Sequence, residues 1–317
     1  MRSARRTSLK RHLTAIVMIG VLLTQSLGVL YAAPAPFATI DLAGLTIRYE
    51  VPLKGAAEDL AAVFPAVVAE LETLFGWRLS RRPTVMLIQT GEVFRRRADH
   101  PLILAYAVPS ESLIVIDFGK LAGRPAHFRS VLKHEAAHLF LHAGLGEAVL
   151  PKWLEEGVAQ WASEGVAELL VQPQSSLLED AIVSGTLMPL SDLHDRFPTD
   201  PRKLLLAYAQ SRRVVAFIVA AHGPVALVEI LADVRRGGDV DAAFQRVLKA
   251  LPREIEQRWI AHENRDSAWL AFLAGHLYHF LFLLAALLTL AGFVRFRLQK
   301  RVYADREDDE DQNGNII

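Results

Sequence analysis

Two histidines four residues apart on a predicted helix constrain this chain more than any other feature. Residues 131–140 contain H-E-x-x-H as His134, Glu135 and His138. Phe128, Val131, Leu132 and Leu139 give the surrounding stretch the apolar spacing of a helix. At positions i and i+4 both imidazoles project from one face, about one turn apart, so both can reach a single metal ion. Glu135 lies beside them and can accept a proton from water activated by that metal. The pattern also arises by chance in unrelated chains, so a metal site requires a further ligand from a second element.

Residues 150–159 supply that element, a helix started by Pro151 at its first turn. A carboxylate from it would complete a His, His, Glu set and leave a fourth position open for water. Both Glu155 and Glu156 are candidates. His142 continues the i+4 series, but a rise of about 1.5 Å per residue sets it about 12 Å from His134. Ligands at about 2.1 Å from one ion cannot span that distance.

Together the two segments resemble the gluzincin branch of the zincin metallopeptidases, in particular the peptidase MA-like families related to aminopeptidase N. Those families carry W-L-x-E-G-x-A after H-E-x-x-H and use the Glu directly before Gly as a ligand. The resemblance carries that role to Glu156, eighteen positions after His138. Aminopeptidase N relatives have a spacing one residue longer, so the connection here is shorter. The resemblance implies one zinc ion per chain held by His134, His138 and Glu156, with Glu135 as general base. Glu155 remains the alternative ligand. Residues 207–211 resemble the A-Y-x-Q-S segment of the same families, which implies Tyr208 as the group that stabilises the oxyanion; plain helix packing is the alternative role. Gln160, one turn after Glu156, is in reach of hydrogen-bonding a ligand; an ordinary polar helix face is the alternative.

The fold class expected is α+β: a zincin-like catalytic domain with a small mixed sheet and active-site helices, then a helical lobe and a C-terminal transmembrane helix. Strands are predicted at 46–51, 84–89 and 112–117. Residues 55–75 show helical spacing through Leu60, Phe64, Val67, Leu71 and Leu74, with a kink or break expected at Pro65. Pro224, Gly237 with Gly238, and Pro252 separate the helices of the lobe. A peptide substrate would lie extended along a sheet edge, for which 112–117 and 103–107 are the candidates; both read equally as plain core strands.

The ends of the chain read as membrane signals. A basic stretch with Arg2, Arg5, Arg6, Lys10 and Arg11 precedes an apolar run at 13–23 and small residues at 32–38. This is a signal peptide or a retained N-terminal anchor. Residues 273–294 contain no Asp, Glu, Lys or Arg, a length that spans a bilayer. Arg295, Arg297, Lys300 and Arg301 follow, which by the positive-inside rule puts the C-terminus in the cytoplasm. Trp269, Tyr278 and Phe280 suit the outer interfacial belt, with His276 and His279 as interfacial histidines. The expected division is 1–38 signal or anchor, 39–180 catalytic domain, 181–263 helical lobe, 264–296 transmembrane anchor and 297–317 a disordered cytoplasmic tail.

Composition excludes several classes. No cysteine is present, so disulfides, zinc-thiolate sites and thiol nucleophiles are ruled out. Between the two ends the chain holds 25 basic against 29 acidic residues, which gives no electrostatic reason to expect nucleic acid as a partner. The reading is a membrane-anchored zinc peptidase acting on peptides or proteins outside the cytoplasm, at the inner membrane with a periplasmic catalytic domain. Its alternatives are a zincin-fold module that binds a cell-envelope partner without catalysis, and a metal hydrolase of another bond, such as a wall-linked amide.

Overall fold

The computed structural model describes residues 36–89, 94, 100–121, 125–165, 169 and 175–313. Residues 1–35, which carry the expected export signal, lie outside the described residues, as do the side chains of 266–275, including Trp269. The backbone gives a mixed α+β body with helices in the majority.

A 5-stranded sheet is built from β1 (Phe37–Leu42), β2 (Leu45–Glu50), β3 (Thr84–Ile88), β4 (Ala105–Val108) and β5 (Leu113–Asp117), in the order β1-β2-β3-β5-β4. β2, β3 and β5 run parallel, and the outer strands β1 and β4 are antiparallel to their neighbours. Every residue of β5 is buried, which accounts for the unbroken apolar run Leu113 to Ile116 that precedes Asp117. The candidate substrate edge at 112–117 is therefore interior, and β4 forms the edge. The crossover from β2 to β3 is α1 (Lys54–Phe75), which buries Leu60, Phe64, Val67, Leu71 and Phe75. Pro65 does not break this helix, which runs continuously from Lys54 to Phe75. It sits on the exposed face, where the carbonyl freed by the missing amide can turn to water.

After β5 come α2 (Pro125–Leu145), α3 (Lys152–Ala162), α4 (Ser175–Ser184), α5 (Pro201–Arg235), α6 (Val240–Leu248) and α7 (Pro252–Asn313). Gly223 interrupts α5 with φ 83° just before Pro224, so this proline does break a helix: glycine reaches that φ at little steric cost. One hydrophobic core runs without interruption from Leu45 in β2 to Trp259 in α7. The sheet and the helical lobe are thus a single packed unit among the described residues.

α7 begins inside that core and leaves it. Ile255, Trp259 and Glu263 are buried, whereas none of the window His276–Arg297 is. That window and α5 are the two described helices long and apolar enough to cross a membrane, but α5 buries one face in the body. The backbone of α7 continues as helix to Asn313, through the acidic stretch expected to lack regular structure.

Glu263 fixes the start of α7. Arg213 donates to it through Nε at 2.6 Å and Nη2 at 3.1 Å, and the fully buried Trp259 donates through Nε1 at 2.9 Å. Burial opposes the charge on Glu263, but Arg213 outweighs it and lowers its pKa. A depressed carboxyl pKa stabilises the fold above the usual carboxylate range and loses that effect as pH falls through the depressed value. Glu263→Ala should cost about 1–3 kcal/mol at pH 7 by leaving the indole N–H without its acceptor. Urea unfolding at pH 7 and again at pH 3 checks this, with a smaller difference expected at the lower pH.

Candidate metal centre

α2 carries His134, Glu135 and His138 into the interior, with Val131, Leu132, Ala136 and Phe140 burying the rest of the helix. Pro151 precedes α3 with φ −53°, and its carbonyl accepts from the amides of Leu154 and Glu155. The amide of Lys152, at the first position of α3, donates to the carbonyl of His194 at 2.6 Å. α3 then packs on α5 so tightly that a Cβ at Gly157 would lie 2.5 Å from the carbonyl oxygen of Ser211 and 2.5 Å from Val215 Cγ2. Glycine directly after Glu156 is what permits this approach. A methyl group there would force a shift costing about 1–3 kcal/mol.

This packing brings three ligand atoms together. His134 Nε2 and His138 Nε2 are 3.2 Å apart, and Glu156 Oε2 lies 3.4 Å from the first and 3.7 Å from the second. Ligands about 2.0–2.1 Å from a tetrahedral zinc are themselves separated by about 3.3 Å. The spacing and the donor set, two imidazoles and one carboxylate, therefore fit zinc. Glu156 Oε2 is buried with no hydrogen-bond partner, as a metal ligand awaiting its ion would be. Among the described residues this is the one group of His, Asp and Glu side chains whose ligand atoms converge in this way.

Glu155 is not among the convergent atoms. Its Oε1 lies 3.0 Å from His138 Nδ1, the other side of that ring. Lys152 Nζ lies 2.8 Å from Glu156 Oε1 and 3.4 Å from Glu155 Oε2. Burial opposes ionisation of both carboxyls. For Glu156, Lys152 and His138 outweigh it and hold the group far below the usual carboxylate range. For Glu155, His138 and Lys152 do the same and lower it to about 2. Burial also opposes charge on His138, but Glu156 and Glu155 outweigh it and raise its pKa.

The site opens into a cavity of about 750 Å³ lined by Tyr106 and Ala107 of β4, Glu135, His138, Arg196 and Tyr208 among others. Tyr208 is thus on the cavity wall, packed edge-on against Phe197 at 5.0 Å. Gln160 does not touch a ligand: its amide donates to the carbonyl of Tyr208 at 3.1 Å, because one turn beyond Glu156 the side chain faces α5. His142 is exposed and lines a separate pocket with Arg81 and Pro109. A larger hollow of about 1160 Å³, lined by Glu147, Trp153 and Asp239 among others, reaches none of the ligands. The cavity wall at 195–199 carried no sequence signal. Lys152 and Glu155 did, as charged residues one turn apart beside the candidate ligand.

The family model of the Peptidase MA superfamily matches residues 106–263. No curated protein matches the chain. Solved structures similar to it include yeast leukotriene A4 hydrolase in complex with bestatin, at 13% identity and TM-score 0.45, covering 69% of this chain and 37% of that one. The native hydrolase from Saccharomyces cerevisiae aligns at 14% identity and TM-score 0.45, covering 71% and 38%. A mutant M1 zinc metallopeptidase from Deinococcus radiodurans bound to a Tyr-Ser-Ala substrate aligns at 16% identity and TM-score 0.37, covering 71% and 51%. The chain therefore spans between about a third and a half of the length of these structures.

Metal binding requires neutral imidazoles and so competes with protons. The raised His138 pKa means that competition begins above the ordinary histidine value of about 6.5. Zinc titration calorimetry across pH 5 to 8 should show affinity falling as pH drops through that raised value.

Proposed function

Because residues 106–263 belong to the Peptidase MA superfamily, we propose that the chain is a zinc-dependent peptidase anchored to a membrane with its catalytic body outside the cytoplasm. The observation that carries the reading is the convergence of His134, His138 and Glu156 within 4.8 Å, with His138 and Glu156 on the wall of a cavity that Glu135 also lines.

A zinc ion in this set supplies Lewis acidity, polarising a carbonyl and lowering the pKa of water toward neutrality. The chain's own residues do the rest. Glu135 is 1% exposed and follows His134 directly, so its carboxylate takes the proton from the attacking water. It then delivers that proton to the amine that leaves. Tyr208, on the same cavity wall, is the candidate hydrogen-bond donor to the developing oxyanion. β4 is the last strand of the sheet on that side, and Tyr106 and Ala107 of β4 line the cavity. An extended peptide laid along that edge would present its backbone to the centre.

The membrane reading rests on the apolar, unburied window His276–Arg297 and the basic residues after it, with the positive end in the cytoplasm. The chain has no cysteine, so single introduced cysteines report topology cleanly. In intact cells an impermeant thiol reagent should label Ser110→Cys, an exposed position of the body, and should reach Arg301→Cys only after permeabilisation. The reverse pattern overturns the orientation.

Zinc content and peptide hydrolysis by the purified full-length chain test the catalytic reading. The wild type should hold about one zinc, and Glu156→Ala should lose it. Glu135→Gln should keep zinc and lose about 10²–10⁴-fold in rate. Tyr208→Phe should keep zinc and lose about 10²–10³-fold in kcat if its hydroxyl meets the oxyanion. Zinc retained by a folded wild type with no hydrolysis of any peptide would favour the non-catalytic binding module.

A further inference from the structure

Two charged residues on the first turn of α3 take no part in the proton transfers above. Glu155 sets one oxygen, Oε1, 3.0 Å from His138 Nδ1, on the side of the ring opposite the ligand cluster. Lys152 sets Nζ between two carboxylates, 2.8 Å from Glu156 Oε1 and 3.4 Å from Glu155 Oε2. The two oxygens of Glu156 are thereby given different tasks. Oε1 is held by an ammonium group, while Oε2 is buried, has no hydrogen-bond partner and faces both histidine Nε2 atoms.

Helix formation alone does not favour this arrangement. Carboxylates suit the first turn of a helix, but a lysine at its first position works against the macrodipole. Two adjacent carboxylates, one buried and one half-buried, also repel one another. Lys152 offsets both costs through the ion pairs it makes with Glu155 and Glu156.

We propose that Glu155 and Lys152 form a clamp that sets the geometry of the metal centre. Glu155 accepts the Nδ1 proton of His138 and so holds the tautomer whose Nε2 faces the ion. Lys152 occupies Glu156 Oε1 and so restricts Glu156 to one metal-binding oxygen, which keeps a coordination position open for water or substrate. Both are positioning residues, acting through His138 and Glu156. The proposal rests on the zinc reading above, and it explains why Glu155, though adjacent to the ligand, is not a ligand itself.

The test uses the purified full-length chain as wild type, Glu155→Ala, Glu155→Gln, Lys152→Met and Lys152→Arg. Zinc affinity is measured by chelator competition, and coordination by the visible absorption of the cobalt-substituted protein, intense for four ligands and weak for five. Circular dichroism of the metal-free variants controls for folding. Glu155→Ala should bind zinc about 10–100-fold more weakly, and Glu155→Gln, whose amide oxygen still accepts from Nδ1–H, should recover most of that loss. Lys152→Met should weaken the cobalt absorption as Glu156 brings its second oxygen to the ion, while Lys152→Arg should keep the wild-type spectrum. A folded Glu155→Ala with wild-type zinc affinity, or a Lys152→Met spectrum identical to wild type, overturns the clamp while leaving the zinc reading intact. A wild type that binds no zinc overturns both.

Discussion

Everything in this structure that bears on chemistry depends on how closely α3 can approach α2 and α5. Two histidines on one helix make only half a site, and the carboxylate must come from another element at near van der Waals contact. Gly157 makes this possible, since any side chain there would meet the Ser211 carbonyl and Val215. The rest of α3 consolidates the approach: Trp153, Leu154 and Val158 are buried in the common core. The ligand set is thus a product of apolar packing, with polar atoms placed where the packing leaves them.

Such packing has an electrostatic cost, because His134, Glu135, His138 and Glu156 are all buried. Buried charges persist only when paired. Lys152 and the histidines hold Glu156 ionised, and Glu155 with Glu156 favours charge on His138. The site is therefore a network of paired charges, in which protons and a metal ion would compete for the same atoms.

Glu156 was singled out from Glu155 only by the resemblance to the peptidase MA-like families, whereas the two histidines of the candidate site were legible in the sequence through their i, i+4 spacing. The central strands were legible for a similar reason, as short β-branched runs. β1 was not, because as an edge strand it alternates exposed and half-buried residues and leaves little apolar signal. Pro65 misled because the cost of a helical proline depends on which face it occupies, and that face is set by tertiary packing. Spacing alone left Gln160 between a ligand contact and a plain polar face, and its direction is decided by α5. The clamp was invisible for the same reason, since it depends on where Lys152 and Glu155 point.

The hydrogen bond from the Lys152 amide to the His194 carbonyl joins two parts of the site that otherwise share no covalent neighbourhood. On one side of it stands the helix that holds the ligand carboxylate. On the other begins the segment whose Arg196 and Phe197 wall the cavity. The same bond therefore ties the start of that wall to the first helical turn of α3, the helix that carries Glu156. Were a ligand against that wall and an ion at the histidine cluster coupled through this bond, each would change the other's equilibrium affinity by the same factor.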